Sequence, residues 1–461
     1  MTLGQAATVL GGELRGSDVR FSDVCTDSRT LKSGDLFVAL RGEQYDGHDF
    51  VAKAAAAGAV AALIERAHVR SAPLPVAAVE DTTVALGALA AHWRRQFHIP
   101  LVAVAGSNGK TTVKEMIAAC LRAHYGDEAV LATRGNLNNH IGLPLTLLTL
   151  RAAHRVGVVE VGMNHPGETA ELAQIAGPTI AVINNAQREH QEFMQSVTDV
   201  ADEHASLIKA LPADGIAVIN ADDVHAAVWR AAAGHREVRD FGFDQKAAVS
   251  ATCELQAASS LLAVRTPEAV ATLNLPVAGE HNARNALAAI AAATAAGATL
   301  ESCVRALSGF AAVKGRLQIK RSRQGALLID DTYNANPDSM KAAIDVLANQ
   351  TGEKILVLGD MGELGTDAAR MHREVGEYAK AKGLKQLYCL GELSLEMVHG
   401  FGVGARHFDD AAALAEVIKP QLSAQVTVLV KGSRFMKMER VVDLLDEKNN
   451  QTSLLENQSC Y

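Results

Sequence analysis

Aromatic side chains are scarce in this sequence, at 4% of 461 residues with only two tryptophans. Cores built without them must draw on Ala, Leu and Val, a mix that suits helices packed closely on parallel sheets. Cysteine is sparse too. The six, at positions 25, 120, 253, 303, 389 and 460, form no C-x-x-C pair and have no paired His spacing, which argues against a disulfide framework or a zinc site. A reducing compartment, the cytoplasm, is expected. There is no basic excess: the formal net charge of −8 argues against a general nucleic-acid or membrane-surface binder, while leaving room for one local anion site. Long apolar runs are missing. The longest uncharged stretches, residues 54–64 and 286–300, are Ala-rich, read as buried helices and fall short of the roughly 18 residues of a membrane span. The opening Met1-Thr2-Leu3-Gly4-Gln5 carries neither the basic nor the apolar segment of a signal peptide. Internal repeats are not evident.

The length predicts about three domains. Residues 1–98 read as a smaller α/β domain with a short strand-rich start, an amphipathic segment at 51–58 and apolar strands near 34–42 and 59–64. Residues 99–313 alternate apolar runs with Ala-rich helical patterns; strands at 101–105, 156–161, 179–184 and 215–220 predict a doubly wound, P-loop ATPase-like α/β domain. Residues 314–461 predict a hairpin, 318–321 with 326–330, then strands at 355–358, 386–390 and 426–430 in a Rossmann-like α/β domain, with a frayed polar end from 446.

The strongest chemical signal is Gly106-Ser107-Asn108-Gly109-Lys110-Thr111-Thr112, directly after a predicted strand. Glycines let successive N–H groups face a phosphate and the following helix presents its positive end; Lys110 would reach the β- and γ-phosphates and Thr111 would hold Mg²⁺. The usual Walker pattern would require glycine at 104, which here is Val104. The shorter form resembles Mur ligases and folylpolyglutamate synthetases.

Glu160 closes an otherwise apolar strand, where a carboxylate can hold a hard cation or simply face solvent. His190 follows another strand end and reads as a second ligand or as a structural histidine. Asn282, near the start of an Ala-rich helix, suits adenine recognition or helix capping. Arg316 would stabilise phosphoryl charge and Asp331 would bind ribose hydroxyls, against the alternative of a solvated turn. Residues 359–365 and Lys431-Gly432-Ser433-Arg434 follow strands and could take a carboxylate, for which an arginine fork is well shaped.

In order along nearly the whole chain, these segments resemble the Mur ligase family. The branch whose amine is D-alanyl-D-alanine is the nearest in Gly135-Asn136-Leu137-Asn138-Asn139-His140-Ile141-Gly142-Leu143-Pro144, in Asp331-Thr332-Tyr333-Asn334-Ala335-Asn336-Pro337, in residues 359–365 with His372, and in the ending 430–434 with Met438-Glu439. The resemblance implies an N-terminal domain for the UDP-sugar, a central ATPase domain and a C-terminal domain for the amine. It implies ATP on Gly106 to Thr112 with Asn282, Arg316 and Asp331, and Mg²⁺ on Thr111, Glu160 and His190. Lys110, Glu160, His190 and Arg316 become the catalytic set. UDP-N-acetylmuramoyl-tripeptide and D-alanyl-D-alanine would be held by Asp27, Ser28, Arg29, Arg41, Gly42, Asn138, Asn139, Tyr333, Asn336, Lys431 and Arg434, in a monomer without nucleic-acid or membrane partners. Many Mur ligases carry a carbamylated lysine after the magnesium histidine; the register puts His204 there, with Glu203 beside it. The rivals are a sister Mur or folylpolyglutamate-type ligase adding a single amino acid, and a P-loop ATPase switch.

Overall fold

The computed structural model describes residues 1–243 and 246–446; the end read as frayed lies, from 447 on, outside the described residues. Three sheets organise them. In the first, the strands run in the order Glu13–Arg15, Val76–Val79, Ala61–Glu65, Leu36–Val38 and Val24–Cys25, parallel except for the first. The chain enters through the helix Leu3–Val9, not a strand, because Thr2 and Gln5 form a capping box ahead of apolar Leu3, Ala6 and Ala7. The uncharged run 54–64 is not one helix. Helix Val51–Ala56 stops before Gly58, whose positive φ turns the chain into the strand Ala61–Glu65.

The central sheet has nine strands. Strand Leu101–Ala105 lies between Val156–Glu160 and Ile180–Ile183, all parallel, with Val104 opposite Glu160 and Ala105 opposite Ile183. Three carboxyl ends are therefore level and about 4.8 Å apart laterally, which puts the loops that follow them side by side. Beyond Glu237–Gly242 the sheet continues through Val249–Leu255 and an antiparallel meander, Ser260–Arg265 and Val270–Leu275, absent from the sequence reading. Its inward residues Leu262, Val264, Leu273 and Leu275 join the core under the helix Glu280–Ala295. That helix buries eleven residues, seven of them alanines, and such small side chains let it lie close to the helix Lys110–Tyr125.

The third sheet runs Gln318–Arg321, Leu327–Asp331, Val426–Lys431, Glu353–Gly359, Gln386–Leu390 and Ala405–Phe408; the first strand forms the expected hairpin and the rest are parallel.

The two junctions between these units differ. One continuous apolar core runs from Leu3 through Leu86 and Leu89 to Leu101, Leu147 and Trp229, so the first two units share an interior. Trp93 reinforces it by donating its indole N–H to Leu150 O at 3.1 Å. The third unit has its own cores on the two faces of its sheet, and meets the second largely through polar side chains. No helix among the described residues is long and apolar enough to cross a membrane.

Trp229 is fully buried, and its indole N–H donates to Ala201 O at 3.0 Å, fastening the helix Ala226–Ala233 to the helix Val197–Lys209. Trp229→Ala removes the largest buried side chain and should cost about 3–5 kcal/mol. Urea unfolding checks this; a loss below about 1 kcal/mol would show that the site collapses around the gap.

Candidate functional site

Gly106 has φ +136°, and a Cβ there would stand 3.0–3.2 Å from Asn184 and Asn185. Gly109 has φ +82° and its Cβ would fall 2.6 Å from Asn285 Oδ1. Glycine is required at both by conformation and by space. The turn between them is strapped to its neighbour. Ser107 N donates to Asn185 O at 3.0 Å, Asn108 N to Asn185 Oδ1 at 2.8 Å, and Asn184 Nδ2 to Asn108 O at 2.8 Å. Lys110 Nζ folds back to Gly106 O at 2.6 Å and Ser107 O at 3.3 Å, and pairs with Glu189 Oε2 at 3.2 Å.

Glu160 is 2% exposed. Asn138 Nδ2 donates to its Oε1 at 2.7 Å, and its own N–H donates to Thr133 Oγ1 at 3.1 Å. Oε2 is buried and without a hydrogen-bond partner. An orphaned carboxylate oxygen beside a phosphate loop fits a hard cation. Thr111, Glu160 and His190 all line one cavity of about 910 Å³, together with residues 107–110 and Thr112. The donor set and the glycine cradle thus fit a nucleotide with Mg²⁺.

The loop after Ile180–Ile183 carries a residue to which the sequence reading gave no role, Glu189. It is 6% exposed, and its Oε1 lies 3.1 Å from His204 Nε2. Burial alone would push its carboxyl up; Lys110, His204 and His190 outweigh that and hold it well below the usual carboxylate range. Three consecutive titratable residues, Arg188, Glu189 and His190, shortly after a buried strand were the available signal. His190 has φ +48°, and its Nδ1 lies 2.6 Å from Glu363 Oε2. His204 therefore faces the site from the expected position. Glu203 does not: its two oxygens accept from Gly167 N at 2.9 Å and Thr169 N at 2.8 Å, at the start of the earlier helix Glu168–Ala176.

The remaining cavity residues divide into those facing it and those that hold others. Asn282 is not a helix cap, because Gly279 occupies that place. Its Nδ2 donates to Ala278 O at 2.8 Å, and it lines the cavity beside Asn285. Arg316 Nη2 donates to Thr111 Oγ1 at 3.0 Å, and its guanidinium lies over the Tyr333 ring, 4.3 Å from the centroid. Tyr333 is thus first a shelf for Arg316. Asn336 caps the helix Pro337–Ala348 and pairs its amide with that of Asn108. Asn139 receives the N–H groups of Ile141 and Gly142, at the start of the helix Gly142–Leu148. Lys431 is buried, 2.7 Å from Asp331 Oδ2, and donates to Asn334 O; it positions Asp331. Arg434 lines the cavity and is held by Glu439 at 2.8 Å. Asp27, Ser28, Arg29, Arg41 and Gly42 do not line this cavity. Asp27 orients Arg29, which holds the carboxyl down to about 2, while Arg41 pairs with Asp46 and Glu65.

Comparison with known proteins covers the same ground. Residues 20–95 match the Mur ligase family catalytic domain, 104–293 the Mur ligase middle domain and 315–434 the Mur ligase, glutamate ligase domain. The chain is 41% identical to the UDP-N-acetylmuramoyl-tripeptide–D-alanyl-D-alanine ligase of Escherichia coli (strain K12), over 97% of this chain and 98% of that one. It is 38% identical to the Haemophilus influenzae protein of the same name, over 96% and 98%. Among solved structures it is similar to MurF from Acinetobacter baumannii (TM-score 0.90, 35% identity, 97% and 98% covered). It is also similar to the MurF ligase of Thermotoga maritima in complex with ADP (TM-score 0.82, 27% identity, 95% and 100% covered).

His372 fixes the loop 359–365: Nε2 accepts from Met361 N at 2.9 Å and Nδ1 donates to Ala368 O at 2.7 Å. Burial holds this imidazole below its ordinary value. Below the unfolded value of about 6.5 the unfolded chain takes up a proton that the folded one resists, so stability falls as pH drops from there. His372→Gln keeps a donor and an acceptor without titrating. Its melting temperature should decline less steeply than that of the parent between pH 7 and 5, and equal slopes would refute the assignment.

Proposed function

Because the chain belongs to the Mur ligase family, we propose that its three units divide one reaction, with residues 1–98 holding a UDP-sugar, 99–313 ATP and 314–461 the incoming amine. The protein is an ATP-dependent ligase that joins D-alanyl-D-alanine to UDP-N-acetylmuramoyl-tripeptide, using Mg²⁺ and producing the UDP-linked pentapeptide precursor of peptidoglycan. One observation carries the residue assignments: the phosphate loop, the orphaned Glu160 oxygen, His190 and the C-terminal residues Arg316, Asp331 and Arg434 share a single cavity.

In this reading the tripeptide carboxylate attacks the γ-phosphorus of ATP, the bond to the bridging oxygen breaks, and ADP leaves an acyl phosphate. The dipeptide amine then attacks the carbonyl carbon, phosphate departs, and the amine proton leaves with it. Side chains act by position and charge, with no protein nucleophile. The N–H groups of residues 106–112 cradle the phosphates, and Lys110 exchanges its carbonyl partners for phosphate oxygens. Arg316, already aimed at the phosphate loop by Tyr333, neutralises charge as it develops. Asn138 keeps Glu160 in place, and Lys431 keeps Asp331 in place for the ribose. Bound by Thr111, Glu160 and His190, Mg²⁺ would draw negative charge from the phosphate oxygens. Arg434, exposed at the cavity edge and steadied by Glu439, is the fork for the dipeptide carboxylate. Arg29, freed from folding duties and oriented by Asp27, suits the diphosphate of the UDP-sugar. Soluble nucleotide and dipeptide substrates fit a cytoplasmic location.

Phosphate release from Mg²⁺·ATP with UDP-N-acetylmuramoyl-tripeptide should depend on D-alanyl-D-alanine and match amide formed. Release with no amine present would sink the ligase reading in favour of an ATPase switch. Glu160→Gln, which keeps the Asn138 contact geometry but loses the charge, should lower kcat by about 10²-fold or more.

A further inference from the structure

Arg188 has no part in the reaction as described. It stands in the same loop as Glu189 and His190, yet its guanidinium is directed into the third unit. Nη2 lies 2.5 Å from Asp338 Oδ1, Nε lies 3.1 Å from Asp338 Oδ2, and the backbone N–H donates to that same oxygen at 3.0 Å. Nη1 meets both oxygens of Glu374, at 3.0 and 3.1 Å. Lys341 also pairs with Glu374, so two cations and two anions close a neutral quartet. Asp338 sits in the first turn of the helix Pro337–Ala348 and Glu374 on the helix Ala368–Ala381. Both belong to the unit that brings the amine.

The contacts alternate along the loop. Arg188 reaches Asp338 and Glu374, His190 reaches Glu363, and Glu192 N donates to Glu363 O at 3.2 Å. Glu189, between them, meets Lys110 and His204 on the nucleotide side. A short segment that carries a catalytic ligand is therefore pinned from one side by the third unit and from the other by the phosphate loop. The fork geometry, with five donor contacts from one partly buried arginine, is far more specific than a solvated pair, which contributes little. Two apolar cores separated by a polar seam would need such a device to meet in one register.

We propose that Arg188 is a positioning residue whose ion pairs with Asp338 and Glu374 hold the Glu189–His190 segment in its metal-binding geometry, so that the metal end of the nucleotide site is completed only when the third unit is docked. The inference rests on the metal role given above to His190. Docking and metal affinity are then two readings of one coupling.

Binding of Mn²⁺ to the full chain with saturating ADP, followed by electron paramagnetic resonance, tests it. Arg188→Met should weaken Mn²⁺ by roughly five- to tenfold. Glu374→Gln combined with Asp338→Asn should do the same, and Glu374 does not line the cavity. Joining all three changes should add little further, since they remove one shared interaction, and Arg188→Lys should recover part of the loss. Unchanged Mn²⁺ affinity in both variants, or effects that multiply, would overturn the proposal; the carboxamide pair keeps the test open if Arg188→Met does not fold. His190→Ala separates the two readings. If it leaves Mn²⁺ binding intact, the metal role of His190 fails. The clamp is then judged by small-angle scattering with ADP bound: a larger radius of gyration in the Arg188 and carboxamide variants supports it, and an unchanged radius overturns it.

Discussion

A carboxylate taken out of water must be met by cations and hydrogen-bond donors, or it protonates. Glu189 is met three ways, by the Lys110 ammonium, by the His204 imidazole and by the His190 ring, whose Nε2 lies 3.9 Å away. Each partner comes from a different element: the phosphate loop, the helix Val197–Lys209 and the loop itself. Their mutual placement is thus referred to one pair of oxygens. The sheet brings these elements within a few ångströms through the register of Leu101–Ala105 with its two neighbours, and Glu189 converts that nearness into fixed angles. His190, next along the loop, adopts left-handed backbone with φ +48°.

The phosphate loop was legible in the sequence because its chemistry is local: two glycines, a lysine and a threonine in a row carry their own geometry. Glu160 was legible for a related reason, a charge at the end of an apolar strand. What the sequence did not disclose was non-local. Nothing near position 138 says that an asparagine will hold the carboxylate of residue 160, nor does position 431 say that its lysine will be buried against Asp331. The choice between Glu203 and His204 is the clearest case. They are neighbours on one helix, so they point about 100° apart, and only the packing of the helix Glu168–Ala176 decides that the glutamate turns to that helix's start and the histidine enters the site. The antiparallel meander was missed on physical grounds too. Half-exposed strands with alternating small residues carry a weak signal beside the continuous apolar runs of the parallel core.

Differences between the two junctions bear on how the reaction is divided. The first two units share an apolar interior, which in the proposed division of labour suits an acceptor that must present its carboxylate at the γ-phosphate at a constant distance. The third unit keeps its own cores and touches the second through amides, guanidinia and carboxylates. Such contacts exchange for water at small net cost, and Ala278 is the one residue of the second unit that joins the third unit's described apolar cores. Asn108 with Asn336, Arg316 with Thr111 and His190 with Glu363 all span that polar seam and all end on residues of the nucleotide site.

The scarcity of aromatics has a last consequence, for what light can report. Both tryptophans, Trp93 and Trp229, lie in the two units that share a core, one bonded to Leu150 and the other to Ala201. The third unit has none. Intrinsic tryptophan emission therefore follows the melting of the fused pair and is nearly silent about the third unit. An unfolding curve recorded that way describes two thirds of the molecule and would look two-state even if the remaining third had already come apart.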